Sequence, residues 1–360
     1  MGSAYSAVST ADDTDLLARA VKHPPTVCRS ATFHGKLPII RNPVHTDTIN
    51  SIGPVRPGMI LTASSDTTVG LINVDTGEMV TRWRGHTKSV TKVAYKLSQT
   101  KHFVLSGSRD HTAKLWAFNS DEPKQTYQHD GPVTAVCNLL DNQIATGSRD
   151  TFVRIFDVES TKPLLEKSIN RNLVTHLARI PNTQLLVQTS EDRITRIYDS
   201  SSLEIVKEFP IKSHIQYHCS LSNDGRFCAT TSGGTNGDGC DITIYDMRQQ
   251  KQYATLKGHS ETVRCAVFLP QTITCKKLLL SCGDDKSIRL WSVDDSRCQW
   301  YEASPTGTAL TSCYGFGDGN IVIAGHDAAF AHMKMNGRAG VPFLHTMSLQ
   351  SMESERTPFH

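Results

Sequence analysis

The stretch Ser106-Gly107-Ser108-Arg109-Asp110, followed by Trp116-Ala117, decides the fold of this 360-residue chain. It joins small residues, an Asp and, six positions later, an aromatic residue. Similar phrases recur six more times, from Ala63-Ser64-Ser65-Asp66 to Ala324-Gly325-His326-Asp327. The seven apolar closing positions are 72, 116, 156, 198, 245, 291 and 333, and their successive differences are 44, 40, 42, 47, 46 and 42. A fixed period of this length indicates a repeat architecture.

A His precedes several copies, at His45, Gly85-His86, His129 and Gly258-His259. With this signature and period the chain resembles the WD40-repeat family, whose repeats each form one four-stranded propeller blade. The resemblance implies an all-β fold, a seven-bladed β-propeller over residues 29–348, closed by a strand from a chain terminus. Residues 31–40 are the favoured closing strand and residues 341–348 the alternative. We expect residues 1–28 to form a flexible arm and residues 349–360 a disordered tail.

Two repeats contain a complete set of His, Ser, Asp and Trp that can hydrogen-bond in series within a blade. The sets are His86, Ser106, Asp110, Trp116 and His259, Ser281, Asp285, Trp291. They resemble a hydrolase triad on paper, but positions between strands favour a structural role, and we predict no catalytic residues. Blade three has Phe156 and blade four Gln188 at set positions, and blades one and seven lack the Trp. We expect these four blades to depend more on packing.

The composition excludes several classes of protein. There are 38 Lys+Arg against 35 Asp+Glu, a net charge of +3, which disfavours an electrostatic nucleic-acid binder. No apolar run is long enough to span a bilayer, and the first 15 residues do not resemble a secretory signal. The 10 cysteines contain no C-x2-C pair, so we predict buried reduced thiols in a cytoplasmic protein, without a metal or a cofactor.

The first residues, Met1-Gly2-Ser3-Ala4-Tyr5-Ser6, match the M-G-x-x-x-[ST] pattern of N-myristoylation at Gly2. One myristoyl chain holds a protein to a membrane only weakly, so we expect either reversible membrane contact or capture by a lipid-binding chaperone.

The residue before each turn Asp is expected on one rim of the propeller, where partners bind. Arg residues on adjacent blades two and three and acids on blades four and six predict a basic and an acidic sector that suit a polar protein or peptide. The rim positions are Ser65, Arg109, Arg149, Glu191, Asp284 and His326.

Two further motifs lie in the fifth repeat. Tyr245-Asp246-Met247-Arg248 resembles the W-D-x-R box that docks WD-repeat proteins on the adaptor of cullin–RING ubiquitin ligases, with Tyr in place of Trp. Asp246 and Arg248 would carry that docking. The glycine-rich residues 232–241 lack the Gly-Lys-Ser/Thr of a phosphate loop and the acids of a calcium loop, which favours a long hairpin loop.

Stretches between the repeat markers extend the resemblance to a ciliary member of the WD40-repeat family. They include Ser168-Ile169-Asn170-Arg171-Asn172, Phe209-Pro210-Ile211-Lys212 and Val267-Phe268-Leu269-Pro270. The resemblance implies a non-enzymatic scaffold or adaptor for trafficking factors at the ciliary base. The alternative is a substrate receptor of a ubiquitin ligase. An enzyme that uses the central channel would need a convergent set of acids, His or metal ligands, which the sequence does not supply.

Overall fold

The computed structural model describes residues 39–98, 101–140, 142–169, 171, 173–270, 277–338 and 341–346. In this part of the chain there are 29 strands and no helix. The strands form seven separate sheets in which sequence neighbours pair antiparallel. The all-β, seven-bladed propeller predicted from the repeats is therefore confirmed.

The first strand, β1 (Ile39–Ile40), precedes the blades. Blade one contains β2 (Ile49–Arg56), β3 (Met59–Ser64), β4 (Val69–Asn73) and β5 (Met79–Trp83). Blade two contains β6 (Val90–Ser98), β7 (Lys101–Ser108), β8 (Thr112–Ala117) and β9 (Pro123–Gln128). Blade three contains β10 (Val133–Asn138), β11 (Gln143–Ser148), β12 (Phe152–Asp157) and β13 (Pro163–Ser168). Blade four contains β14 (Val174–Arg179), β15 (Leu185–Ser190), β16 (Arg196–Asp199) and β17 (Ile205–Glu208).

Blade five contains β18 (Ile215–Leu221), β19 (Phe227–Gly233), β20 (Asp241–Asp246) and β21 (Lys251–Lys257). Blade six contains β22 (Val263–Phe268), β23 (Leu278–Gly283), β24 (Ser287–Ser292) and β25 (Arg297–Ala303). Blade seven is built on β26 (Leu310–Gly315), β27 (Asn320–Gly325) and β28 (Phe330–Arg338), with β29 (Val341–Thr346) following. In each blade the first strand is innermost.

The hydrophobic core lies between neighbouring blades. In one cluster Leu61 and Trp83 of blade one pack with Val90 and Trp116 of blade two. The second strands, such as β3 and β23, are buried on both faces, whereas the outer strand β13 contains only partly buried and exposed residues. All seven closing positions of the repeats lie on third strands and are at most 1% exposed: Ile72, Trp116, Phe156, Tyr198, Tyr245, Trp291 and Met333.

The turn between the second and third strands of a blade depends on its Asp. In blade two Asp110 Oδ1 accepts a hydrogen bond from the Thr112 backbone N–H at 3.0 Å. The residue between them, His111, has φ of +71°. Six of the seven turns place the residue after the Asp in this left-handed region: Thr67, His111, Thr151, Arg193, Lys286 and Ala328. The Asp side chain therefore offsets a backbone conformation that L residues avoid.

Both ends of the described chain close the ring. Ile39 and Ile40 pair with His332 and Ala331 of β28, and β29 pairs with the rest of β28, from Met333 to Arg338. The favoured segment and its alternative therefore share one edge, which the nine residues of β28 are long enough to allow. Residues 31–38, which belong to the favoured segment, lie outside the described residues.

Arg41 ties this closure to the next blade. Its backbone N–H donates to the Phe330 carbonyl at 3.2 Å. Its guanidinium donates to the carbonyls of Val74, at 3.2 Å, and of Asp75 in blade one. The outer strand of blade seven is thus bonded to blade one through a buried side chain.

No helix of the length and apolarity that a membrane crossing requires occurs among the described residues. Eight cysteines fall in this part of the chain and all are free thiols. Seven of them are buried, and Cys298 is partly exposed.

Candidate functional site

The six predicted rim residues occupy equivalent positions on one face of the propeller. The backbone N–H of Arg109 donates to the Ser89 carbonyl, just before the innermost strand of its blade. The other five N–H groups make the same kind of bond: Ser65 to Thr48, Arg149 to Pro132, Glu191 to Leu173, Asp284 to Thr262 and His326 to Ala309. The rim residues therefore surround the mouth of the central channel where the innermost strands begin.

The charged side chains of this rim differ in whether they already form an ion pair. Arg109 is exposed, and among the described residues no hydrogen bond or ion pair involves its guanidinium. Arg149, also exposed, pairs with Glu191 at 3.2 Å. The basic and acidic sectors therefore meet in an ion pair at the join between blades three and four.

The acid of blade six is held by a residue that the sequence did not single out. Arg264 donates to Asp284 through Nε at 2.9 Å and through Nη2 at 2.6 Å. The same guanidinium lies 5.0 Å from the centre of the Tyr217 ring on blade five. This cation–π and ion-pair group forms a polar, ring-bearing patch at the channel mouth.

Arg264 and Tyr217 occupy a special register position. Each innermost strand has a bulge, and in five blades the residue in the bulge bonds to the next blade's first strand. Thr91 donates to the Val133 carbonyl at 2.6 Å, and Asn50 to the Val90 carbonyl at 2.8 Å. The others run from Thr134 to Val174, from Thr175 to Gln216 and from Thr311 to Ile49.

At blades five and six the bulge residues are Tyr217 and Arg264, which instead contact each other. Between blades five and six, this contact between two side chains at the channel mouth thus replaces the hydrogen bond that links the innermost strands of other neighbouring blades. A local departure from a repeated structural device is expected at functional sites. The bulge position is Thr or Asn in the other five blades, so the signal in the sequence was a different residue type at this position. That signal can be recognised only when the position of each bulge is known.

The two complete sets form the hydrogen-bond series expected within a blade. In blade two His86 lies 2.8 Å from Asp110 through Nδ1 and 2.8 Å from Ser106 Oγ through Nε2. Trp116 Nε1 donates to the same Ser106 Oγ at 2.8 Å. In blade six His259 lies 2.8 Å from Asp285 and 2.7 Å from Ser281, and Trp291 donates to Ser281 at 2.8 Å.

The polar side chains of these two sets are already hydrogen-bonded to one another and are shielded from solvent. Ser106 is fully buried, and its oxygen already meets both His86 and Trp116. Hydrogen bonds from His86 and Thr112 hold the pKa of the Asp110 carboxyl well below its usual value despite burial. Ser106 therefore has neither a pocket beside it nor a free lone pair with which to act as a nucleophile, so we assign the set a structural role.

Blade three uses its Asp differently. Arg154 donates to Asp150 at 2.7 Å, and His129 contacts Thr146 at 2.8 Å without reaching that carboxylate. Burial and the nearby Arg154 lower the pKa of His129 to about 4. The imidazole therefore stays neutral at physiological pH.

In blade four an arginine again forms an ion pair with the turn Asp, and the set of this blade contains no histidine. Arg196 bonds to Asp192 and to Glu208, each at 2.7 Å. Tyr198 Oη donates to Gln188 Oε1 at 2.7 Å, so the Gln takes the place of the strand Ser. Polar pairing, and not packing alone, thus supports the blades whose set is incomplete.

The predicted docking pair has two different environments. Asp246 is 3% exposed, and its carboxylate accepts from the backbone N–H groups of Arg248 and Gln249 at 2.9 and 3.1 Å. The Arg248 side chain is exposed at the turn between β20 and β21. The Asp is a turn cap, and the Arg is free to meet a partner.

The glycine-rich loop of blade five packs on blade six. Gly237 N–H donates to the Ser260 carbonyl at 2.8 Å, and Thr262 Oγ1 to the Gly234 carbonyl at 3.1 Å. Across the described ranges no group of three or more His, Cys, Asp or Glu is placed to hold a metal ion. Gly2 lies outside the described residues.

Comparisons with known proteins agree with this architecture. The model of the WD domain, G-beta repeat, matches residues 77–117, 121–157 and 250–292. WD repeat-containing protein 37 of Homo sapiens is 24% identical over 269 residues, which are 72% of this chain and 50% of that protein. Nuclear distribution protein PAC1 of Coccidioides posadasii is 29% identical over 269 residues, 65% of this chain and 54% of that protein.

PAC1 of Arthroderma benhamiae is 24% identical over 291 residues, 71% of this chain and 61% of that protein. The chain thus spans between half and three-fifths of the length of these relatives. Three segments of the chain thus match the WD-repeat model, and the chain is similar to these relatives over 65 to 72% of its length.

Proposed function

We propose that this chain is a non-enzymatic scaffold or adaptor that binds a protein or peptide at the rim of the channel mouth. The observation that carries the proposal is the rim itself, where an unpaired Arg109 shares a face with the Tyr217–Arg264–Asp284 group. Tyr and Arg are the side chains most enriched among residues that dominate binding energy. WD40 repeats are protein-binding modules, which supports the assignment.

The charges of the rim suggest the chemistry of the partner. Arg109 offers a guanidinium fork to a carboxylate or phosphate, and Arg149 and Glu191 can exchange their mutual pair for intermolecular ones. Their pair is half-exposed, so breaking it costs little. A partner with acidic residues facing blades two and three fits this surface.

The finer proposal is a role in ciliary trafficking at the ciliary base. It rests on the resemblance of stretches between repeat markers to WD repeat-containing protein 31. Myristoylation of Gly2 would add reversible membrane contact to an otherwise cytoplasmic protein. Tagged protein in ciliated cells should collect at the ciliary base, and Gly2→Ala should reduce that signal. A diffuse signal from both proteins contradicts the ciliary and lipid proposals together.

Charge reversal tests the rim. The double variant Arg109→Glu and Arg149→Glu should lose proteins that the wild type captures from ciliated cells. The matched control reverses two exposed charges away from the rim, Lys162→Glu and Arg297→Glu. Capture that falls equally in both variants, or in neither, contradicts binding at the rim. Equal thermal unfolding of all three proteins shows that the fold survives.

The exposed Arg248 keeps a second candidate function open, a substrate receptor of a cullin–RING ubiquitin ligase. Arg248→Ala should then lose the ligase adaptor while it keeps partners bound at the rim. Unchanged recovery of the adaptor by Arg248→Ala, or its absence from the wild-type sample, excludes this candidate.

A further inference from the structure

The innermost strands surround a cavity of about 400 Å³ on the channel axis. Its lining begins at the position directly after the bulge of each innermost strand. These seven equivalent residues are Ser51, Lys92, Ala135, His176, His218, Cys265 and Ser312, and all but Ala135 line the cavity. Its volume is that of a small-molecule site.

The lining is cationic. Lys92 projects from blade two and Arg179 from blade four, and His176 and His218 lie beside them. None of the described residues that line the cavity is Asp or Glu. The two imidazole rings are in contact, tilted by 35° with their centres 4.1 Å apart. Within the described part of the chain neither Lys92 nor Arg179 forms an ion pair, so no described carboxylate neutralises their charges.

Several polar atoms of the lining lack partners. His218 is 7% exposed, and its Nδ1 has no hydrogen bond. The same holds for the buried atoms Arg179 Nη1 and Ser220 Oγ. Buried polar atoms in native proteins are nearly always paired, so unpaired polar atoms on three residues of one cavity lining indicate a ligand or ordered water.

The pKa shifts of the lining residues reflect the buried positive charge of the cavity. Burial lowers the pKa of Lys92. Burial lowers the pKa of His176 well below its usual value, with smaller contributions from nearby His218 and Lys92. Burial disfavours positive charge here, and no described carboxylate lines the cavity to compensate it. The nearby thiols of Cys265 and Cys219 offset only part of the effect on Lys92. A bound anion would supply that compensation.

We propose that the central cavity binds the phosphate group of a small organic molecule, with Lys92, Arg179 and His218 as its donors. A phosphate oxygen accepts from the lysine, and the planar fork of Arg179 suits two phosphate oxygens. Cys219 and Cys265 also line the cavity, and thiols are ligands for soft metal ions. However, no group of three or more described His, Cys, Asp or Glu residues is placed to hold a metal ion. This site is independent of the rim, because the lining lies deeper along the strands.

Calorimetric titration of the full chain with pyrophosphate, inorganic phosphate, chloride and zinc tests the proposal. Pyrophosphate should bind and should raise the unfolding temperature. Lys92→Met and Arg179→Met should each weaken pyrophosphate binding about tenfold or more, because each removes a charge-assisted hydrogen bond. Arg109→Ala on the rim is the matched control and should bind like the wild type.

The Lys92→Met protein also shows whether Lys92 has a structural role instead. Without ligand it should unfold at the same or a higher temperature than the wild type, because an uncompensated cation has been removed. A less stable Lys92→Met protein assigns Lys92 to the fold and contradicts the proposal. Failure of pyrophosphate to bind the wild type, equal binding by all variants, or binding of zinc alone also contradicts it.

Discussion

Arg154 donates to Asp150 at 2.7 Å and thereby takes the carboxylate that the histidine holds in blades one, two and six. His129 instead contacts Thr146 Oγ1 at 2.8 Å and the Tyr127 carbonyl at 3.2 Å, and Arg154 is its cationic neighbour. The repeat thus contains two ways to use its turn Asp. In one the carboxylate orients an imidazole, and in the other it neutralises an arginine.

This exchange makes blade three sensitive to pH. The pKa of His129 is about 4 in the folded chain, and that of an unfolded His is about 6.5. The unfolded chain therefore binds more protons between these values, so the free energy of unfolding should fall as pH drops from about 6.5 to 4. Urea unfolding of His129→Gln should show a shallower slope in this window.

Thr146→Val is the control for that experiment. It removes the hydrogen bond to Nε2 but keeps the imidazole, so its stability should be lower at every pH while the slope persists. Equal slopes for His129→Gln and the wild type would show that His129 does not titrate with folding.

Acid stability should depend on the turn carboxylates. Hydrogen bonds from His86 and Thr112 keep the pKa of Asp110 below that of an unfolded Asp, about 3.9. The unfolded chain then binds the extra proton, so this stabilisation is complete above pH 4 and is lost as pH falls further. Asp110→Asn should lose stability at neutral pH and show a flatter decline below pH 4. A decline as steep as that of the wild type would contradict this assignment.

Ser106→Ala should destabilise the fold strongly. The substitution leaves His86 Nε2 and Trp116 Nε1 without the oxygen that both now contact at 2.8 Å. An unpaired buried polar group costs about 1–3 kcal/mol, and we expect a loss in that range or above it. The exposed Ser201→Ala should change the free energy of unfolding by about 0.5 kcal/mol or less. Similar losses from both variants would refute a structural role for the series.

Substitution by Gly should relieve the backbone strain at a turn residue with left-handed φ. Lys286 is exposed, with φ of +59°, and its side chain has no role in the turn that the described contacts reveal. Lys286→Gly should raise the free energy of unfolding by about 1 kcal/mol, because Gly adopts this conformation without steric cost. Lys257→Gly, in strand β21, is the matched control and should destabilise. A loss of stability at position 286 would contradict the strain argument.

The sequence predicted the architecture because each blade repeats the same local rules. The apolar positions from Ile72 to Met333 had to be buried, and they are. Ring closure was less determined, because either terminal segment satisfies the edge of β28, and Ile39–Ile40 and Val341–Thr346 in fact share it.

Side-chain partners were harder to predict than the fold. The repeat pattern predicts that Asp150 holds His129, but Arg154 takes the carboxylate, and sequence spacing does not decide between the two partners. The bulge shifts the register of every innermost strand by one residue. Alternation of polar and apolar residues therefore did not predict that Tyr217 and Arg264 meet at the face, or that Lys92 and His176 line one cavity.

Photo-crosslinking at the channel mouth tests the central claim, that the rim binds a protein partner, most directly. Lys88 is exposed in blade two, one residue before the carbonyl that holds Arg109. With p-benzoylphenylalanine at position 88 in ciliated cells, we predict a discrete crosslinked protein that disappears when Arg109→Glu is added. The same probe at position 162, away from the rim, should not capture it. Capture of that protein from position 162 alone, or capture from position 88 that Arg109→Glu leaves intact, would contradict the account.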